Sequence, residues 1–189
     1  ALPISTAARA GLMSALFPAA PDWAAMPVLE ILSPPILIAQ DCVELNTNSG
    51  SLHLQIFDQG IRLRSARTRP YDYGLLPNEP VYRPLTISGT PARSVIESPG
   101  LSLYIEHKPF SFELVCGQRV VQRSPSDGHF VRRFRIPPLS RFEDGWLMTF
   151  ELQSSEPVYG LGEKWGKLDK RGQLLRSYNH DALGVNAEI

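Results

Sequence analysis

Cysteine is nearly missing from this chain: Cys42 and Cys116 are the only two in 189 residues. Two thiols are too few for a disulfide framework and lack metal-site spacing, and both are expected as buried thiols among apolar neighbours. The cytoplasm is then the expected compartment, with a secreted or periplasmic location left open. A surplus of one charge is missing too, since 19 Lys and Arg balance 19 Asp and Glu. That disfavours nucleic acid or an anionic membrane as the main partner, because both reward a basic excess. Neutral, hydroxyl-rich ligands fit the balance. No apolar run is long enough to span a bilayer. The stretch 11–26 is interrupted by Pro18, Pro21 and Asp22, and Arg9 ahead of it gives only the outline of a signal peptide. The four histidines, His53, His107, His129 and His180, have no ligand spacing, so neither a metal site nor a cofactor is expected. Gly160-Leu161-Gly162 lacks the third glycine and the strand-to-helix setting of a dinucleotide loop. Ser154-Ser155 has no nucleophile-elbow context.

What is present is a core-forming share of hydrophobic residues, 43%, enough for one good-sized domain. Residues 1–40 read as an extension rich in alanine and proline. Ser5 or Thr6 is placed to cap a short helix carrying Leu12, Met13, Leu16 and Phe17, which Pro18 would end. Beyond it Pro27, Pro34 and Pro35 favour extended chain. From Val43 the period becomes two. Leu52, Leu54 and Ile56 alternate with Ser51, His53 and Gln55, and Asp58-Gln59-Gly60 turns into Ile61-Arg62-Leu63-Arg64, a hairpin pattern. Residues 68–92 show no period and read as a long loop or edge. Alternation returns at Leu101-Leu103-Ile105, Phe110-Phe112-Leu114, Val120-Val121, Phe134-Ile136 and Trp146-Met148-Phe150-Leu152. Short strands at this spacing, with almost no helical period, predict an all-β antiparallel sandwich or barrel over 41–189. His53 and His107 are assigned to polar strand faces.

The last thirty residues differ in character. Gly160 and Gly162 remove Cβ atoms from one strand face, which suits either a close approach by another group or a tight corner. Asp169-Lys170-Arg171-Gly172 is a reverse-turn sequence whose charges are expected at a solvated tip. Asp181 follows Tyr178-Asn179-His180. A carboxylate there can accept hydrogen bonds from two neighbouring hydroxyls, as in sugar binding, or can cap its own loop.

These residues carry a family resemblance. Val158-Tyr159-Gly160-Leu161-Gly162-Glu163-Lys164, the turn at 168–172 and Asn179-His180-Asp181 resemble the N-terminal domain of the family 31 glycoside hydrolases, which include α-glucosidases and α-xylosidases. The hairpin Leu54–Arg64 is similar to the first hairpin of that domain, and Phe110-Ser111-Phe112-Glu113-Leu114 with Gly117 to its central strand pair. The resemblance implies a mutarotase-like β-sandwich ahead of a catalytic (β/α)₈ barrel, so the sequence is expected to be the front part of a longer retaining α-glycosidase. It further implies that the loop 158–189, shaped by Gly160, Gly162, Glu163 and Gly172, reaches an α-linked oligosaccharide or glycoside, with Asp181 and its neighbour His180 as the substrate-binding positions. His180 stands where many members have arginine, and Tyr178 where many have tryptophan. The family's nucleophile and acid are barrel aspartates, and no segment matches their motifs, so no catalytic residue is expected here and the isolated chain should be inactive. Two other classes compete. A self-standing carbohydrate-binding sandwich would need an aromatic platform, for which Tyr71, Tyr73 and Tyr82 are the candidates. An epimerase-like enzyme would need a histidine and a carboxylate in one pocket, whereas Glu106 and His107 fall on opposite faces of their strand.

Overall fold

The computed structural model describes residues 27–57, 60–65, 82–125, 130–131, 134–135, 137–142, 145–160 and 166–173, with no helix among them. Two compact units divide the chain, Ala1–Glu151 and Leu152–Ile189. The first is built on two antiparallel sheets. Strands β1 (Ile36–Ala39), β2 (Cys42–Thr47), β3 (Gly50–Phe57) and β4 (Gly60–Ser65) form one, in chain order. Strands β5 (Thr86–Gly89), β6 (Arg93–Ser98), β7 (Leu101–His107), β8 (Phe110–Cys116) and β9 (Arg119–Arg123) form the other, again in chain order. Two small hairpins follow, β10 (Phe130–Val131) with β11 (Phe134–Arg135) and β12 (Leu139–Phe142) with β13 (Gly145–Met148).

Both sheets follow from period-two patterning, which gives each strand one face for the core and one for solvent. Val43 and Leu45, then Leu52, Leu54 and Ile56, come from the first sheet, and Ile96, Leu103, Ile105 and Phe110 from the second. Together with Leu139 they form one buried cluster. Full burial of each such side chain stabilises the fold by about 1.5–3 kcal/mol. The result is an all-β sandwich. Its hairpin β3–β4 pairs Phe57 with Gly60, the register expected for a two-residue connection.

The proline-rich segment before β1 ties the sheets together. Leu29 and Ile31 are buried in the shared core. Leu32 N donates to Asn46 O at 2.8 Å and Asn48 N to Glu30 O at 3.1 Å, on the first sheet's side. Ile31 N donates to His107 O and Phe110 N to Leu29 O, both at 3.0 Å, on the second sheet's side. Asn48 adds side-chain bonds to the same strap, Nδ2 donating to Val28 O at 2.9 Å.

Several expectations need correcting. Of the stretch 68–92, expected as a loop or edge, the described part contains a short edge strand, β5, which pairs Ile87 with Ile96, and 68–81 lies outside the described residues. Cys116 is exposed while Cys42 is buried, and both are free thiols; Cys116 ends β8 at the rim, beyond the reach of the core. The alternation at 146–152 forms a strand only as far as Met148. The capped helix proposed for the first residues lies outside the described residues.

Between the sheets the core is incompletely filled. An apolar pocket of about 310 Å³, open to solvent beside Met148 and Phe150, lies against Ile61 and Leu63 of β4 and Phe112 and Leu114 of β8. Phe150 is half exposed there and meets Phe112 edge-on at 5.9 Å between ring centroids.

Candidate functional site

In the second unit, the described residues 153–160 and 166–173 are organised around one carboxylate. Asp169 Oδ1 accepts hydrogen bonds from Val158 N at 3.0 Å and Arg171 N at 2.9 Å. The Val158 amide foremost, then the Arg171 amide, hold its carboxyl below the usual range, with Arg171 and Lys167 adding smaller favourable charge. Lys170 N donates to Val158 O at 2.7 Å, and Arg171 Nη1 donates to Gln153 O and Glu156 O, each at 2.6 Å. The charges of this turn therefore do not form a merely solvated tip; they hold 153–158 and 169–173 together. Gly160 and Gly172 have φ of 90° and 74°, where side chains with a Cβ are strained. A Cβ at either would meet nothing within 4 Å, so within this chain backbone conformation, not close approach, explains both glycines. Tyr159 and Leu168 are exposed, at 61% and 80%. Gly162, Glu163, His180 and Asp181 lie outside the described residues.

On the sandwich, His107 is buried at 2% exposure and not on a polar face, because it shares the inward face of β7 with Leu103 and Ile105. Pro91 O can only accept, so His107 Nδ1–H donates to it at 2.7 Å, which leaves Nε2 to accept from the Ser94 hydroxyl at 2.8 Å. Glu106, facing the other way, pairs with Arg93 at 3.2 Å. That arrangement is a satisfied core histidine, with no carboxylate among its hydrogen-bond partners in the described residues.

The outward face of β2, β3 and β4 carries a denser polar array that the sequence reading passed over as ordinary outward residues. Glu44 Oε2 lies 3.5 Å from His53 Nε2. Gln55 Nε2 donates to Asp41 Oδ2 at 3.0 Å, and Arg64 Nη2 donates to Gln55 Oε1 at 2.9 Å. Arg62 Nη1 donates to Tyr82 OH at 2.5 Å, with its guanidinium carbon 5.7 Å from the Tyr82 ring centroid. Tyr82 also packs edge-on to Phe57 at 6.1 Å, so its ring is engaged within the chain; Tyr71 and Tyr73 lie outside the described residues. The alternation Ile61-Arg62-Leu63-Arg64 was the available signal, since it sets both guanidiniums on one face. Among the described residues no group of three His, Cys, Asp or Glu is placed to hold a metal ion.

Comparison with known proteins matches residues 47–188 to the family described as the glycosyl hydrolase 31 N-terminal galactose mutarotase-like domain. No curated protein matches the chain.

Proposed function

The chain belongs to the glycosyl hydrolase 31 N-terminal galactose mutarotase-like domain family, and we propose that it is the accessory front domain of a retaining α-glycosidase, packing on a catalytic barrel and lending that barrel a sugar-contacting loop. The observation that carries this reading is the extent of the family match. It runs to residue 188 and so takes in Asp181 with the whole glycine-containing loop.

In this division of labour the barrel holds the two carboxyl groups, about 5–5.5 Å apart in a retaining enzyme, that attack and protonate. The loop contributes orientation. Asp181 accepts hydrogen bonds from sugar hydroxyls, each charge-assisted bond worth roughly 1.5–3 kcal/mol. His180 borders the same subsite and tunes the sugar preference. A self-standing sugar-binding module gains no support from Tyr82, whose ring and hydroxyl are engaged by Phe57 and Arg62.

The test is Asp181→Ala in the full-length glycosidase. It should lower kcat/KM on an α-glycoside by about tenfold to more than a hundredfold, at about 1.4 kcal/mol per decade, and leave the melting temperature unchanged. Unaltered kcat/KM with a lowered melting temperature would make Asp181 a loop cap and remove the proposed role.

A further inference from the structure

Arg62 and Arg64 share the outward face of β4, opposite Gln55 and His53 in the register of the sheet. Both are half-buried. The oxygens they meet are neutral ones, the Tyr82 hydroxyl and the Gln55 amide oxygen, and among the described residues neither has a carboxylate within ion-pair distance. Arg93 and Arg123 differ, being paired with Glu106 at 3.2 Å and with Glu151 at 2.7 Å. Carboxylates do occur on the same face, across β3, but neither is in a direct ion pair with these arginines. Asp41 accepts from Gln55, and Glu44 sits with His53 and Ser51.

The face is therefore polarised across the strands. Negative charge lies along β2 and the turn before it, the column of Ser51, His53 and Gln55 lies between, and positive charge lies along β4. Asp41 and Arg64 meet only through Gln55, whose amide donates to the carboxylate and accepts from the guanidinium, so an amide and not a direct ion pair stands between these two charges. A guanidinium has five N–H donors in a planar fork. Each of these two uses one on a neutral oxygen while already partly withdrawn from water, and an arriving anion would meet the remaining donors with little loss of hydration left to suffer. Their Cα atoms are two residues apart along a strand, about 7 Å, a spacing from which both forks can converge on one oxyanion. The Tyr82 hydroxyl, accepting from Arg62, keeps its own proton to donate. Phe57 against its ring and Gln55 against Arg64 hold the groups in place, so little ordering remains for binding to impose.

We propose that Arg62, Arg64 and Tyr82 form an anion-binding site on the outer face of the first sheet, which takes a carboxylate or phosphate group. The site is independent of the sugar contact assigned to Asp181, and either assignment can fail without the other.

The experiment follows the arginine Nε–Hε NMR signals of the 189-residue chain during titration with inorganic phosphate, glucuronate, glucose 6-phosphate and neutral glucose. The Arg62 and Arg64 signals should move with the three anions and stay still with glucose. Whichever of glucuronate and glucose 6-phosphate binds more tightly tells whether the site is better matched to a carboxylate or to a phosphate. Arg62→Gln and Arg64→Gln should each weaken binding about tenfold, Arg64→Lys should restore only part of it because an ammonium lacks the fork, and Arg119→Gln, on β9 of the other sheet, should change nothing. If a β4 variant does not fold, the Nε signals of the unaltered chain still report on the site directly. Motionless Arg62 and Arg64 signals would overturn the proposal, as would equal movement at Arg119 or an equal response to glucose.

Discussion

At Asp169 one carboxylate oxygen serves two backbone amides, those of Val158 and Arg171. Its folded-state pKa is lowered by them. A depressed carboxyl contributes stability that is fully present above its unfolded pKa, about 3.9, and is lost as pH falls through the lower folded value. The turn 158–173 should accordingly loosen only in strong acid. Amide exchange at Val158 and Arg171, corrected for intrinsic rates, should accelerate on acidification below about pH 4. Asp169→Ala should show that fast exchange at every pH, while Asp169→Asn, which keeps an acceptor oxygen, should lie between. Identical exchange in all three proteins would dismiss the carboxylate as the organiser of the turn. The reverse turn itself was legible from Asp169-Lys170-Arg171-Gly172. The amide that Asp169 caps eleven residues away was not, because no local pattern announces a partner at that range. His107 was misplaced for the same reason. Histidine reads as polar, but the Pro91 carbonyl and Ser94 hydroxyl that make its burial affordable come from the neighbouring strand and the turn before it.

Among the elements, the hairpin β5–β6 turns on Gly89. Its φ is 137°, and a Cβ there would lie 2.3 Å from the Arg93 carbonyl oxygen, a backbone atom that cannot swing aside. Gly89→Ala should destabilise the chain by roughly 2 kcal/mol or more, since clash adds to backbone strain. Gly117→Ala, with φ of 60° and open space around the new Cβ, should cost only about 1–2 kcal/mol. Urea midpoints of the two variants compare the effects, and equal shifts would contradict the clash. The strands flanked by clear turn signals were legible: β3–β4 from Asp58-Gln59-Gly60, β8–β9 from Gly117-Gln118. Strand β5 was not, because four residues bounded by Pro84 and Gly89 are too short for periodicity to register, and pairing with β6 supplies what its own sequence does not. The outward Arg62 and Arg64 were visible as alternation, yet their neutral partners come from β3 and from Tyr82, so the character of that face emerged only with the fold.

For the sandwich unit as a whole, packing leaves the apolar pocket of about 310 Å³ bounded by Ile61, Leu63, Phe112, Leu114, Met148 and Phe150. Although it is open on one side, its apolar lining offers a small apolar molecule a place out of water. Benzene should therefore raise the melting temperature in a concentration-dependent way, by the linkage that stabilises any native state with a ligand. Leu63→Phe, which places a ring in the same space, should blunt that response, and an absence of any benzene effect on the unaltered chain would mean the space closes in solution. The strap at 29–32 has a different kind of consequence, one of timing. In each sheet strand order equals chain order, so every hairpin can zip up from neighbouring residues as soon as it leaves the ribosome, a low-contact-order route that favours speed. The strap cannot. Leu29 and Ile31 are made first, but the His107 and Phe110 backbone groups that bind them arrive with β7 and β8, and the Ser140 hydroxyl that bonds to Pro27 O is 113 residues away. During synthesis that early segment must wait, half-satisfied on β2, until the second sheet exists to close over it.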